Sequence, residues 1–347
     1  MRDVSVGLIG YGFASSVFHA PLVTSIQGLN LRRITSHNPD AVHADYPSVQ
    51  VDSDSKAIFD DPDIELVIIA TPNTSHYVLA RDALLAGKHV VLDKPFVVSL
   101  DDGVELIRLA QERERLLSVF HNRRWDNDFL TVKQCIASGL LGTVCSYEGH
   151  YDRFVPNVDG RWREQPTPGS GVLFDLGSHL IDQALHLFGL PHAVTADVSA
   201  QRPLAKVDDY FHLCLDYGAL KVILHASMLV RESGPHYQVH GNTGSFIKYG
   251  FDSQEDALIR GERPGHPRWG RDNPAFHGKL SFEAGGLSIT STVETLPGRY
   301  QSYYRGMYAA IVNNEPSPVG PVDALNVIKV IEYALQSHRE QRTITFR

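Results

Sequence analysis

Cysteine, methionine and tryptophan are scarce in this chain, with three residues of each among 347. Cys135, Cys145 and Cys214 form no C-x-x-C pair and lie in apolar or alternating segments, so they support neither a disulfide framework nor a zinc site. Buried free thiols are the expectation. Positive charge is also in short supply. The formal net charge is −8 and no Lys/Arg-rich tract offsets it, which argues against nucleic acid as a partner. No apolar run approaches the roughly 20 residues needed to span a bilayer. The opening MRDVSVGLIG enters a strand without a signal-peptide pattern, so the chain reads as cytoplasmic with no membrane partner. Internal repeats and low-complexity linkers are missing as well.

What is present suffices for two ordinary domains, since 347 residues at 43% hydrophobic content can build two substantial cores. The β-branched run 4–9 is followed by Gly10-Tyr11-Gly12-Phe13-Ala14-Ser15 and then a helical pattern. In a dinucleotide-binding unit Gly10 allows the tight turn, Gly12 lets a pyrophosphate approach the backbone, and the next helix N-terminus favours its charge. Ser15 stands at the third glycine position, where a small residue still permits close helix packing.

Further strands are expected at 29–35, 65–70, 89–93 and 116–120, with helices at 75–86 and 100–112. This alternation predicts an α/β, Rossmann-type doubly wound parallel sheet over residues 1–122, with ligands bound beyond the carboxyl ends of its strands. The loops there put Ser36, His37, Thr71, Pro72, Asn73, His76, Asp93, Lys94 and Asn122 beside the 10–15 turn as candidate cofactor contacts. An NAD enzyme usually carries an acid at the end of the second strand. Thr35-Ser36-His37-Asn38 has none, which favours NADP(H) and leaves NAD(H) open.

Beyond Trp125 the texture changes. A helix is expected at 128–138, then strands at 143–154, 194–201, 210–217, 220–230 and 237–241, a long loop at 261–274, and closing helices at 302–313 and 322–338. Consecutive strands predict a C-terminal α+β domain, residues 123–347, on a mainly antiparallel sheet that could also form a homo-oligomer face. In GVLFDLGSHLIDQALH, Asp175 and His179 stand four residues apart and so share a helix face. A carboxylate beside an imidazole suits a general base, and equally suits a hydrogen-bonded core histidine. Asp182 and His186 continue the stripe, with Asp182 read as a partner of His179. The spacing matches no standard zinc pattern, so no metal is expected. Asn122, Trp125, Asp152 and Trp162 offer hydrogen bonds to hydroxyls and cover for apolar ring faces, as a polyol or sugar would need, while Trp125 equally suits a lock between domains and Asp152 and Trp162 a structural ion-pair network.

The Gly10-x-Gly12 turn, the ATPNTSHY segment, GKHVVLDKPF with its Asp93-Lys94-Pro95, and Asp175-x-x-x-His179 together resemble the Gfo/Idh/MocA family of nicotinamide-dependent sugar and cyclitol oxidoreductases. The resemblance covers the whole chain. SVFHNRRWDNDFL, RWREQ, DLGSHLIDQALHLFG and VDDYFHLCLDYG are similar to its NADP-dependent scyllo-inositol dehydrogenase branch. It implies a catalytic set of Lys94, Asp175 and His179, with Asp93 replacing the usual glutamate, and scyllo-inositol or its inosose as substrate. Oxidising a secondary alcohol needs a base and a positioned cation. His179, whose ordinary pKa is near 6.5, suits the base, Lys94 the cation, and Asp175 the orientation of His179. Two other readings on this fold stay open: a glycoside hydrolase that keeps NAD bound, and a non-catalytic sugar or nucleotide sensor.

Overall fold

The run VSVGLI forms β1 (Val4–Ile9), and apart from the half-buried Ser5 it is buried along its length rather than alternating, because both faces are covered. With β2 (Leu29–Thr35), β3 (Gln50–Asp52), β4 (Ile64–Ile69), β5 (His89–Leu92) and β6 (Leu117–Val119) it makes a parallel sheet in the order β3-β2-β1-β4-β5-β6. Leu66, Val67, Ile68 and Ile69 of β4 are all buried. The strand order reverses between β1 and β4, which is where such sheets open a crevice at their carboxyl ends. Helices α1 (Ala20–Thr24), α2 (Pro39–Asp45), α3 (Lys56–Phe59), α4 (His76–Leu85) and α5 (Leu100–Glu112) connect the strands. β3, α2 and α3 escaped the sequence pattern because each is at most seven residues long, too short to show a period.

The computed structural model describes residues 2–160 and 164–346, which divide into two units. One comprises Met1–Asn122, Gln254–Trp269 and Arg299–Leu325, and the other comprises Arg123–Ser253, Gly270–Gly298 and Asn326–Arg347. The chain thus returns twice to the first unit, and a single break at residue 122 does not describe the division.

The second unit holds α6 (Asn127–Ala137), α7 (Ser178–Phe188) and a nine-stranded sheet. Its strands are β7 (Val144–Asp152), β8 (Ala193–Ser199), β9 (Tyr210–Tyr217), β10 (Leu220–Ser227), β11 (Tyr237–Gly241), β12 (Gly244–Lys248), β13 (Gly278–Ala284), β14 (Leu287–Val293) and β15 (Ile344–Thr345). They lie in the order β14-β13-β12-β11-β7-β10-β9-β8-β15, antiparallel except for the β7–β10 pair. Burial alternates along them. Phe211, Leu213 and Leu215 of β9 and Val222, Leu224 and Ala226 of β10 are buried, while their neighbours are partly exposed. α7 covers the buried face, with Leu180 against Gly149 and Gly177 against Phe211. Of the thiols only Cys135 is buried. Cys145 is exposed and Cys214 half-buried, since the alternating pleat turns Cys214 to the uncovered face.

The returning segments bring α8 (Gln254–Ile259) and α9 (Gln301–Asn313) to the first unit. Tyr303, Tyr304 and Met307 of α9 are fully buried there, and the Ser118 hydroxyl of β6 donates to the Val319 carbonyl while meeting the Tyr303 hydroxyl at 2.7 Å.

Candidate active site

In the first unit the turn after β1 is built for a backbone-bound ligand. Gly10 has φ +90° and a Cβ there would stand 2.7 Å from the Ala70 carbonyl oxygen, so only glycine fits. A Cβ on Gly12 would meet nothing within 4 Å, so its backbone faces open space of the kind a pyrophosphate occupies. The Ser15 hydroxyl is buried and donates to the Gly10 carbonyl at 2.7 Å, which locks the turn from behind. Ala14–His19 then form a π-helical stretch, a wide turn frequent at functional positions. Phe13 is exposed at its start. These residues fit a dinucleotide.

Around this turn Tyr11 donates to Asp45 at 2.7 Å. Burial and then the Asp45 bond push its phenol pKa up, while Arg263 pulls it down, and Arg263 acts in the same direction on Tyr46, which burial raises. Sequence reasoning missed Arg263 because it lies in the 261–274 loop, far along the chain. The Ser36 hydroxyl accepts from Asn38 N at 3.0 Å, Asn38 caps α2 through Ala41 N at 3.2 Å, and His37 is exposed.

The Thr71 and Ser75 hydroxyls meet at 2.7 Å beyond β4, with Asn73 buried next to them. His76 differs from the expectation of a cofactor contact. Its ring is fully buried, with Nδ1 2.9 Å from the Pro95 carbonyl and Nε2 3.0 Å from that of Thr71, so it ties two loops together. Burial holds its pKa below the ordinary histidine value.

After β5, Asp93 Oδ1 accepts the Lys94 backbone N–H at 2.8 Å, and the Lys94–Pro95 peptide is cis. Behind Asp93 lies His19, with Nε2 at 3.7 Å from Asp93 Oδ1 and Nδ1 at 2.5 Å from the Tyr304 hydroxyl. Burial raises the Asp93 carboxyl, but His19, Lys94 and His76 outweigh it and hold the group at about 2. His19 and Tyr304 were absent from the sequence reading. His19 could have been found four residues past Ser15 on the same helical face, whereas Tyr304 carries no local signal. Asn122 is buried at the end of the unit's first segment.

In the second unit Gly171, with φ +94°, starts the helical segment GVLFDLGSHL. The Asp208 carboxylate accepts Leu173 N at 2.7 Å and its carbonyl accepts Val172 N at 3.0 Å, so Asp208 caps the first turn. Burial lifts its pKa to about 6 in spite of the backbone bonds. Leu173–Gly177 is π-helical and passes directly into α7, so the four-residue interval between Asp175 and His179 spans the junction of the two. His179 is buried. Asp175 is half-buried and lines a 250 Å³ pocket with Arg153, Asp159, Glu164, Arg202 and Asp208. Arg202 bonds Asp209 at 2.9 Å and Glu164 at 3.0 Å and donates to the Val155 and Asn157 carbonyls, so it organises that rim.

Asp182 takes the Arg124 guanidinium on both oxygens, at 2.9 and 2.7 Å. Gln183 donates to the Arg123 carbonyl and accepts from Tyr237. Trp125 is half-buried, and Trp162 lies outside the described residues. Asp152, expected on the substrate, stands instead with His150 and His225. The pleat puts Tyr147, Gly149 and Tyr151 on the α7 face and therefore turns Asp152 to the other one.

A parallel sheet of this strand order with a bare glycine turn at its switch point defines a dinucleotide-binding protein. Residues 4–121 match the profile of the oxidoreductase family, NAD-binding Rossmann fold, and residues 133–346 match that family's C-terminal alpha/beta domain. The chain belongs to the Gfo/Idh/MocA family and is an NAD(P)-dependent oxidoreductase acting on CH–OH groups. It is 46% identical to scyllo-inositol 2-dehydrogenase (NADP(+)) IolW of Bacillus subtilis, over 98% of this chain and 95% of that one. It is 47% identical to the oxidoreductase YdgJ of Escherichia coli, over 99% and 98% of the two chains. Among solved structures, the oxidoreductase yvaA of Bacillus subtilis aligns with TM-score 0.98 at 45% identity, covering 100% of this chain and 99% of that one. Among the described residues, no helix is long and apolar enough to cross a membrane.

Proposed function

We propose that this chain is an NADP(H)-dependent dehydrogenase that transfers a hydride between nicotinamide and a secondary alcohol or ketone of a cyclitol or sugar, with scyllo-inositol and its inosose as the first substrates. The observation that carries this reading is the 250 Å³ pocket that Asp175 lines together with Arg153, Glu164 and Arg202, one helical turn from the buried His179. The family membership and the name of the Bacillus subtilis relative support it.

The nicotinamide carries the hydride. Gly10 and Gly12 present the backbone that binds the cofactor's phosphates. His179 takes the hydroxyl proton, Asp175 orients its ring and stabilises the imidazolium, and the Lys94 ammonium hydrogen-bonds the substrate oxygen and stabilises its negative charge. The ionised Asp93 fixes the Lys94 backbone. No acid stands at Ser36-His37-Asn38 to repel a 2′-phosphate, and Arg263 adds positive charge near Tyr11 and Tyr46, which supports NADP(H) over NAD(H). Homo-oligomerisation through the nine-stranded sheet belongs to the same reading.

The test follows nicotinamide absorbance with a panel of inositols, inososes, aldoses, acidic sugars and sugar phosphates, using each cofactor in turn. The expected result is highest kcat/KM for a neutral cyclitol with NADP(H). Acidic sugars or sugar phosphates exceeding every neutral cyclitol tenfold would overturn the substrate class, and turnover with no net change in absorbance would overturn the net redox chemistry.

A further inference from the structure

β7 and β10 run parallel with His150 opposite His225 and Ala226 opposite Tyr151, so Asp152 reaches the same side of the sheet one step farther on. All three face away from α7, outside the pocket beside Asp175. Asp152 Oδ2 lies 3.6 Å from His150 Nδ1, and Asp152 Oδ1 lies 3.3 Å from His225 Nε2. An ion bonded tetrahedrally at about 2.0–2.2 Å holds its ligand atoms about 3.3–3.6 Å apart, and each imidazole stands at that distance from one of the two Asp152 oxygens, so whichever oxygen binds the ion already has one edge of the polyhedron in place. One donor from each residue lies within 4.8 Å of the other two.

Two features separate the trio from an ordinary ion pair. Asp152 Oδ1 is buried and has no hydrogen-bond partner among the described residues, although His225 Nε2 stands beside it. A group left in that state is costly unless something cationic satisfies it. His150 presents its other nitrogen, Nε2, to the Glu148 carboxylate at 3.3 Å, the outer arrangement that orients and strengthens metal-bound imidazoles. The side chains are only 22%, 11% and 16% exposed, so the site is recessed but reachable.

We propose that His150, Asp152 and His225 bind a divalent first-row cation of the zinc type, with water in the remaining position. Two imidazoles and one carboxylate suit zinc, cobalt or nickel over calcium or magnesium, which prefer all-oxygen shells. The ion joins the ends of two adjacent strands and stabilises the folded chain by mass action.

The test uses the full-length protein after chelator treatment and dialysis, titrated calorimetrically with zinc chloride and, separately, followed by the visible absorption of added cobalt(II). One saturable equivalent per chain is expected, with magnesium giving none. Glu148→Gln should weaken zinc about 10- to 100-fold, as outer partners of metal ligands do, and His225→Ala by more than that. NADPH fluorescence checks that each variant folds. His225→Phe, which keeps a ring against Tyr210, replaces the alanine variant if that one does not fold. Absence of saturable uptake by the wild-type chain, or uptake unchanged by loss of the His225 imidazole, would overturn the proposal.

Discussion

At the residue scale the site sets its own charges. Asp93 is held near 2, so the carboxylate beside Lys94 is ionised throughout the physiological range. Replacing Lys94 or His179 by alanine should lower turnover at least about a hundredfold, the lower end for a positioned acid or base, with circular dichroism unchanged. A variant that turns over like wild type removes its residue from the mechanism. Cofactor choice belongs to this scale as well. Calorimetry should find NADPH bound more tightly than NADH, and Ser36→Asp should move the preference toward NADH through repulsion of the 2′-phosphate. Arg263→Ala should weaken NADPH more than NADH. Equal losses for the two cofactors would take Arg263 out of 2′-phosphate recognition. A third group, Asp128, lies buried in the second unit, and burial pushes its carboxyl up against the pull of Lys248 and Arg123, with Asp252 adding to the rise. Because the folded value is raised above the ordinary value near 3.9, the associated stability is present below about pH 4 and is lost as pH rises through the folded value. Asp128→Asn keeps an acceptor for Phe129 N, so urea unfolding should show it gaining on wild type at pH 8 and not at pH 4. The same difference at both pH values would contradict the assignment.

At the scale of elements, the two segments of the proposed site share a device. Each begins at a glycine of positive φ and widens into a π-helical stretch, Ala14–His19 in one and Leu173–Gly177 in the other. Periodic reading of the sequence found both helices but not the wide turns, because one extra residue per turn shifts a pattern too little to notice over five or six positions. Asp208 anchors the second segment, and a Cβ at Gly171 would stand 2.0 Å from its carboxylate, so the two positions are fitted to one another. Asp208→Ala removes the acceptor of Leu173 N and should cost about 1 kcal/mol, the usual loss for a helix cap. If the cap also positions Asp175, kcat should fall more than KM rises, while Asp208→Asn should restore most of it. A loss of stability with unchanged kinetics would leave Asp208 a cap alone.

At the scale of the whole molecule, the chain crosses from one unit to the other and back more often than its sequence texture suggested. Residues 254–269 and 299–325 join the first unit, and with them come Arg263 beside Tyr11 and Tyr304 against His19. The nine-stranded sheet keeps one face under α7 and leaves Ile223, His212 and Ile247 partly exposed on the other. Light scattering should therefore report a dimer or larger assembly. Charged substitution at Ile223 and Ile247 should dissociate it, and a monomer in the wild type would exclude this face as an interface.

Local pattern by itself determined the parallel sheet, the glycine turn, the mainly antiparallel second sheet and the helical segment that carries Asp175 and His179, because strand burial, turn conformation and helical spacing are all written within a few consecutive residues. Short elements such as β3 and α2 escaped, having no room for a period. Tertiary structure alone decided that His76 ties loops, that Asp152 stands with His150 and His225 away from α7, and that Asp182 takes Arg124 on both oxygens. Each of those outcomes depends on which strands or segments become neighbours, and a contact across 58 or more residues, as for Asp182 with Arg124, leaves no trace in the spacing of either partner.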